Sequence, residues 1–238
     1  MSYSLTIPEL KKLSDCLQVV MAVPFIDDVV DYILEAIWEY VKDIDGPDPF
    51  YNIRSKRLYD VVDNNRKIGW SIKSLQWPFR PNGEFELVIQ RADVYKKAVS
   101  LGFPHLDSNS DPSDIGTALL RHWQLKVEED AIAQGVKSKR IMILLKTVDK
   151  RQFAVVEDDI LLYLPEELNW QWTNSSKNEL QAIRRSDGKC VYRWYPSQKQ
   201  FFERFTLPES LQLIHVTPKR LKKAQVVDIL LPFLQEQS

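Results

Sequence analysis

Residues 140–147 read RIMILLKT, and this nearly continuous apolar run constrains the fold more than any other stretch of the chain. A strand with one wet face alternates polar and apolar side chains, whereas a strand without alternation is covered on both faces. The run is therefore a central strand, and helical segments surround it in sequence. Residues 8–21 and 26–43 read as helices. In the second, Ile26, Val29, Val30, Ile33, Leu34, Ile37, Trp38 and Val41 share one face, while Asp27, Asp28, Asp31, Glu35 and Glu39 lie off it. Gly46-Pro47-Asp48-Pro49 stops that helix. Residues 93–101 return to a helical pattern, and a longer helix is expected over 115–134, capped by Ser113 or Asp114 and ended by Gly135.

Residues 57–62 and 68–75 are rich in β formers and flank the polar stretch Asp63-Asn64-Asn65-Arg66-Lys67, so they predict a hairpin, with a third strand over 84–90. Beyond residue 150 the pattern changes to short strands at 152–156, 169–173, 180–185 and 189–195. The last two are joined by Ser186-Asp187-Gly188, the strongest local hairpin signal present. A last helix over 224–235 contains Pro232, which should kink or shorten it. The expectation is an α/β (α+β) chain. Residues 1–149 form a mixed central sheet flanked by helices, and residues 150–238 form an antiparallel β extension.

A chain of 238 residues can bury a sizeable core as one large domain, or as one domain with a smaller appendage. No apolar run approaches the ~18 residues that would span a bilayer, and the N-terminus MSYSLTIPELKKLSD lacks the pattern of an export signal. Cys16 and Cys190 form no CxxC pair. The expectation is a soluble protein of the reducing cytoplasm, with no membrane partner and no disulfide framework. Net charge is -1, but it is unevenly spread. Residues 1–174 carry 21 Lys/Arg against 27 Asp/Glu, and residues 175–238 carry 11 against 6. An acidic body suits metal-binding carboxylates and a basic end suits a polyanion.

Several catalytic devices are absent from the sequence: a Gly-rich phosphate loop, GxSxG, HExxH and CxxC. His105, His122 and His215 lack ligand spacing, and His122 beside Trp123 reads as a packed or surface residue. What remains is a strand pair. Asp60 sits within Leu58-Tyr59-Asp60-Val61-Val62, where strands usually carry apolar or neutral residues. In Gly69-Trp70-Ser71-Ile72-Lys73-Ser74, alternation sends Ser71 and Lys73 to one face and Trp70, Ile72 and Ser74 to the other. If the strands pair, Asp60 reaches the face of Lys73. Carboxylates that hold Mg²⁺ beside an ammonium group suit phosphodiester hydrolysis. The plainer alternative is a salt bridge at a sheet edge.

In these residues the chain resembles the PD-(D/E)XK nuclease superfamily, which includes many restriction endonucleases and DNA-repair nucleases. The resemblance covers roughly residues 27–147. It implies a restriction-endonuclease-like core, Mg²⁺ as cofactor, Asp60 as the metal-binding aspartate and Lys73 as the family lysine. Ser71 departs from the pattern, because it stands where the motif has Asp or Glu. Some members of that superfamily look similar, with a carboxylate supplied from a neighbouring element. Here the candidates are Glu86, favoured, or Glu84 on the following strand, and Glu35 or Glu39 on the acidic helix. Gln90 could also face the site.

The resemblance implies an endodeoxyribonuclease of restriction type, homodimeric because a twofold protein suits a palindrome. A binding protein that has lost catalysis at Ser71, and a repair or single-strand nuclease, are the other readings. The arms of the Asp-Gly hairpin carry Arg184, Arg185 and Arg193, followed by Lys199 and Gln200. A basic β-ribbon can enter the major groove of double-stranded DNA, where Arg reads guanine and Gln reads adenine. Lys219, Arg220, Lys222 and Lys223 could add phosphate contacts. Trp194, Phe201 and Phe202 read as core.

Overall fold

A computed structural model describes residues 2–46, 57–76, 83–207, 211–217 and 219–235. In chain order the elements begin with β1 (Ser2–Tyr3), α1 (Ile7–Ala22), α2 (Asp31–Val41), β2 (Val61–Asp63), β3 (Ile68–Gln76) and β4 (Glu84–Arg91). There follow α3 (Val94–Lys97), α4 (Pro112–Gln134), β5 (Ser138–Lys146), β6 (Gln152–Asp159), β7 (Leu168–Trp172) and β8 (Leu180–Arg184). Last come β9 (Cys190–Tyr195), β10 (Gln200–Thr206), β11 (Leu213–His215) and α5 (Lys223–Gln235). The fold is mixed α/β with two sheets, one mixed and one antiparallel. No described helix is long and apolar enough to cross a membrane.

Two compact units divide the chain, and their boundaries differ from the expected split at residues 149 and 150. The first comprises Met1–Trp77, Gln134–Asp159 and Pro208–Ser238, and the second Pro78–Ala133 and Ile160–Leu207. The difference has a structural cause. Strand β6, expected in the C-terminal extension, pairs antiparallel with β5, while β4, expected in the core of residues 1–149, pairs with β10 in the other sheet.

The first unit is built on the order β1-β6-β5-β3-β2, with β11 also paired to β6. Strand β5 is central as expected: Ile141, Met142, Ile143, Leu144 and Leu145 are all buried. It runs parallel to β3 in the register Ser71↔Ile141 and Lys73↔Ile143. Helices α1 and α2 contribute Leu13, Leu17, Leu34 and Trp38 to one core with Trp70, Ile72, Met142 and Leu144. Thr6 caps α1 in a reciprocal box with Glu9. Helix α2 starts at Asp31, later than its apolar pattern suggests. Asp28 accepts from the Val29 N–H at 2.8 Å and from Lys146 Nζ at 2.7 Å, which holds the preceding residues outside the helix. Of Gly46-Pro47-Asp48-Pro49, expected to end the helix, residues 47–49 lie outside the described residues.

The second unit is an antiparallel sheet of order β4-β10-β9-β8-β7. Phe85, Leu87 and Ile89 of β4 alternate inward, as do Tyr192 and Trp194 of β9 and Phe201 of β10. Helix α4 begins at Pro112, not at residue 115, and Asp111 provides the cap: its carboxylate accepts the Ser113 N–H at 2.7 Å and its carbonyl the Ile115 N–H at 3.2 Å. Gly116 lets this helix approach Trp170 so closely that a Cβ would lie 2.2 Å from the nearest indole carbon. The Asp-Gly turn joins β8 to β9 as expected, with Gly188 at φ 69°. The expected helix over 93–101 is a single turn, and α5 continues through Pro232.

Candidate functional site

Asp63 shapes the hairpin from which the site grows, its carboxylate accepting the Asn65 and Arg66 N–H groups at 2.8 Å. Strand β2 then pairs Val61–Asp63 with residues 68–70 and stops. One step further, the Asp60 N–H still donates to the Trp70 carbonyl at 2.9 Å. The next donor on that edge of β3, the Ile72 N–H, bonds instead to Asp60 Oδ2 at 2.7 Å. The aspartate side chain thus takes the place of the missing strand.

Lys73 completes the pair. Its Nζ lies 3.5 Å from Asp60 Oδ2, with the two side chains 30% and 25% exposed, and it also donates to the Ile72 carbonyl at 3.0 Å. Burial pushes the Asp60 carboxyl above its ordinary range. Lys73 and the Ile72 N–H pull it back in part, and Asp31 pushes it up again. The Asp31 carboxylate, in the first turn of α2, therefore acts on Asp60. It was not among the sequence candidates for the missing acid, because helical periodicity places five acids off the apolar face without ranking them.

Ser71 follows the expected alternation, between Trp70 and Ile72 of the α1/α2 core, and is 2% exposed with no hydrogen-bond partner for its Oγ among the described residues. Glu35 lies one turn beyond Asp31 on α2, and Glu39 lies two turns beyond, where it packs against Gly46 and burial raises its carboxyl. Asp60, Ser71 and Lys73 are thus brought together, with α2 in the same unit. Among the described residues, no group of three or more His, Cys, Asp or Glu side chains is arranged to hold a metal ion.

Glu86 belongs to the second unit. Its carboxylate lies 2.9 Å from the Arg193 guanidinium and 3.3 Å from that of Arg204. Arg193 also reaches Glu179 at 3.1 Å, and Arg204 reaches Glu84 at 2.6 Å. Two arginines and three glutamates thus form one ladder across the sheet. Three other cations of the predicted recognition surface are engaged as well. Arg184 pairs with Asp187 at 2.5 Å, which holds that carboxyl down at about 2. Arg185 donates to the Leu168 carbonyl at 3.1 Å, and Lys199 pairs with Asp93 at 2.6 Å. Gln90 donates to the His122 carbonyl at 3.4 Å, Gln200 opens β10 half-buried, and Lys222 is exposed in the first unit. Part of the local charge excess seen in the sequence, at Arg193, Lys199 and Arg204, is therefore compensated by acids distant in the chain.

Comparison with protein families, with curated proteins and with solved structures finds no match.

Proposed function

We propose that this chain is a Mg²⁺-dependent endonuclease that hydrolyses phosphodiester bonds in double-stranded DNA, a cytoplasmic enzyme of restriction type that acts as a homodimer. One observation carries the reading: a carboxylate and an ammonium group 3.5 Å apart at an open sheet edge, on the strands of the PD-(D/E)XK pattern. The donors suit the metal. Asp60 Oδ2 is committed to Ile72 and Lys73, which leaves Oδ1 without a hydrogen bond among the described residues. The field of Asp31 adds to the cost of ionising Asp60, and a cation would relieve it. Magnesium needs one or two carboxylates, with water and substrate phosphate completing its shell, so Asp60 would hold it through its remaining oxygen. When bound it supplies Lewis-acid polarisation of the phosphate and a more acidic water. The Ile72 N–H orients the Asp60 carboxylate, and Lys73 neutralises negative charge that develops on the phosphate or orients the attacking water.

Ser71 favours a second reading, a DNA-binding protein without catalysis, since a buried hydroxyl supplies no charge where the motif has an acid. Base recognition by Arg193 would have to compete with Glu86 and Glu179 for its guanidinium. Incubation of the purified protein with supercoiled plasmid, in Mg²⁺ and in EDTA, tests the function. Discrete Mg²⁺-dependent fragments support the endonuclease, retarded but intact DNA supports the binding protein, and degradation confined to single strands replaces both.

A further inference from the structure

One cluster of cations in the first unit is not used by the proposed site. The β5–β6 turn, the segment before α2 and the segment before α5 enclose a cavity of about 460 Å³, whose lining includes Asp27, Asp149, Lys150, Arg151, Thr217 and Arg220. The frame is fixed by hydrogen bonds. Asp149 accepts from Thr147 Oγ1 at 2.6 Å and from the Arg151 N–H at 3.2 Å, with Lys150 between them at φ 55°. Lys150 Nζ donates to the Asp27 carbonyl at 2.5 Å, and the Arg220 guanidinium donates to the Ile26 carbonyl at 2.9 Å. The Val216 N–H donates to the Arg151 carbonyl at 2.8 Å. The Arg151 guanidinium, by contrast, makes no hydrogen bond or ion pair among the described residues.

Charge and position both point to an anion. Three cations line the cavity against two carboxylates, one of which is spent on the turn, and Lys219, Lys222 and Lys223 flank Arg220 in sequence. Lys150 also lies 3.8 Å from Asp28, which leaves Arg151 as the cation with neither a side-chain hydrogen bond nor an ion pair among the described residues. The Leu221 N–H donates to the Ala22 carbonyl at 3.0 Å, which ties this basic segment to the end of α1. Because β3 and β5 run parallel with Lys73 opposite Ile143 and Gln76 opposite Lys146, the β5–β6 turn lies beyond the same strand ends as Lys73. Strand rise and spacing put it on the order of 10–20 Å from the Lys73 backbone. A DNA strand covers that distance in about three to six steps.

We propose that this cavity binds a phosphodiester of the DNA backbone, with Arg151 as the principal contact and Lys150 and Arg220 as supporting charges. The identity of the ligand rests on the nuclease reading; the preference for an anion rests on the cavity itself. A contact of this kind positions the duplex without reading its sequence.

The test is a titration of the full-length protein with a labelled duplex of mixed sequence, in EDTA so that cleavage does not enter, over a series of KCl concentrations. Arg151→Ala should weaken binding to all sequences alike and make the slope of log K against log salt shallower by about one. Arg151→Lys should restore the slope, and both variants should keep the thermal midpoint of the wild type. Unchanged affinity and slope in Arg151→Ala, with a wild type that binds duplex, would overturn the cavity proposal and leave the nuclease reading intact. A wild type that binds no duplex would overturn both. Inorganic phosphate at matched ionic strength separates a backbone site from one for free phosphate. Displacement of the duplex no greater than that by chloride supports the backbone site, and stronger displacement that disappears in Arg151→Ala overturns it.

Discussion

Replacing Asp60 by Asn separates what this side chain does for the fold from what it does for chemistry. An Asn amide oxygen can still accept the 2.7 Å bond from the Ile72 N–H, so the sheet edge stays capped. The bond changes from charge-assisted to neutral, a loss of about 1 kcal/mol. Against that, the folded state disfavours the charged carboxylate, since burial outweighs Lys73 and the Ile72 N–H and lifts the carboxyl above its ordinary value of 3.8. A carboxyl raised on folding makes the protein most stable where it is protonated, and that stability declines as pH rises from the ordinary value through the raised one. Asn does not titrate and escapes the decline. Asp60→Asn should therefore match the wild type at pH 3 and exceed it slightly at pH 7, while Asp60→Ala, which leaves Ile72 without its acceptor, should lose about 1–2 kcal/mol. Urea midpoints at the two pH values measure the difference, and hydrogen exchange of the β3 amides localises it to the first unit. A loss of more than 2 kcal/mol in Asp60→Asn at pH 7, or a gap between the proteins that does not change with pH, would contradict this role of the Asp60 side chain.

Three further outcomes follow from the packing. Glu157 is 1% exposed and accepts from Trp70 Nε1 at 2.8 Å, Arg140 at 2.8 Å and Lys42 at 3.1 Å. Glu157→Gln should cost about 3–5 kcal/mol in urea unfolding, the cost of stranding buried cations, and a loss below 1 kcal/mol would mean that the charge is not needed. Burial, helped by Lys97, depresses His122 to about 4, so NMR should find its ring neutral above pH 5. Its contribution to stability is then complete above about 6.5, is lost as pH falls from there towards 4, and is absent from that account if the ring titrates near 6.5. Gly116→Val should destabilise the second unit by about 1–3 kcal/mol by driving α4 off Trp170, and unchanged exchange protection in β7 and α4 would contradict that packing.

Local pattern made some elements legible and hid others. The RIMILLKT run identified β5 because an unalternated apolar strand has few possible places. Asp-Gly located the β8–β9 turn because its backbone demands are local. Alternation also put Ser71 and Lys73 on one face of β3 and brought Asp60 to Lys73. Strand β4 was grouped with the core of residues 1–149 because alternation gives a face and not a partner. That partner, β10, lies more than a hundred residues along the chain. The start of α2 depends on Asp28 pairing with Lys146, and the action of Asp31 on Asp60 depends on where that start falls. The basic hairpin shows the same limit for charge: Arg204 meets Glu84 across 120 positions, and no window of sequence contains both. Excess charge in a segment is therefore a weak guide to surface potential when strands exchange partners over such distances.

Asp60 and Lys73 are proposed to form a hydrolytic centre and not only an ion pair at a sheet edge. The most direct test is the rate at which wild type, Asp60→Asn and Lys73→Ala nick supercoiled plasmid in Mg²⁺, with duplex binding measured in parallel in EDTA. Expected are Mg²⁺-dependent cleavage by the wild type, a fall of about a hundredfold or more in each variant, and duplex affinity within a few-fold of wild type for Lys73→Ala and Asp60→Asn. Cleavage at the wild-type rate by Asp60→Asn, or no cleavage by the wild type under any divalent metal, would contradict a hydrolytic role for the pair.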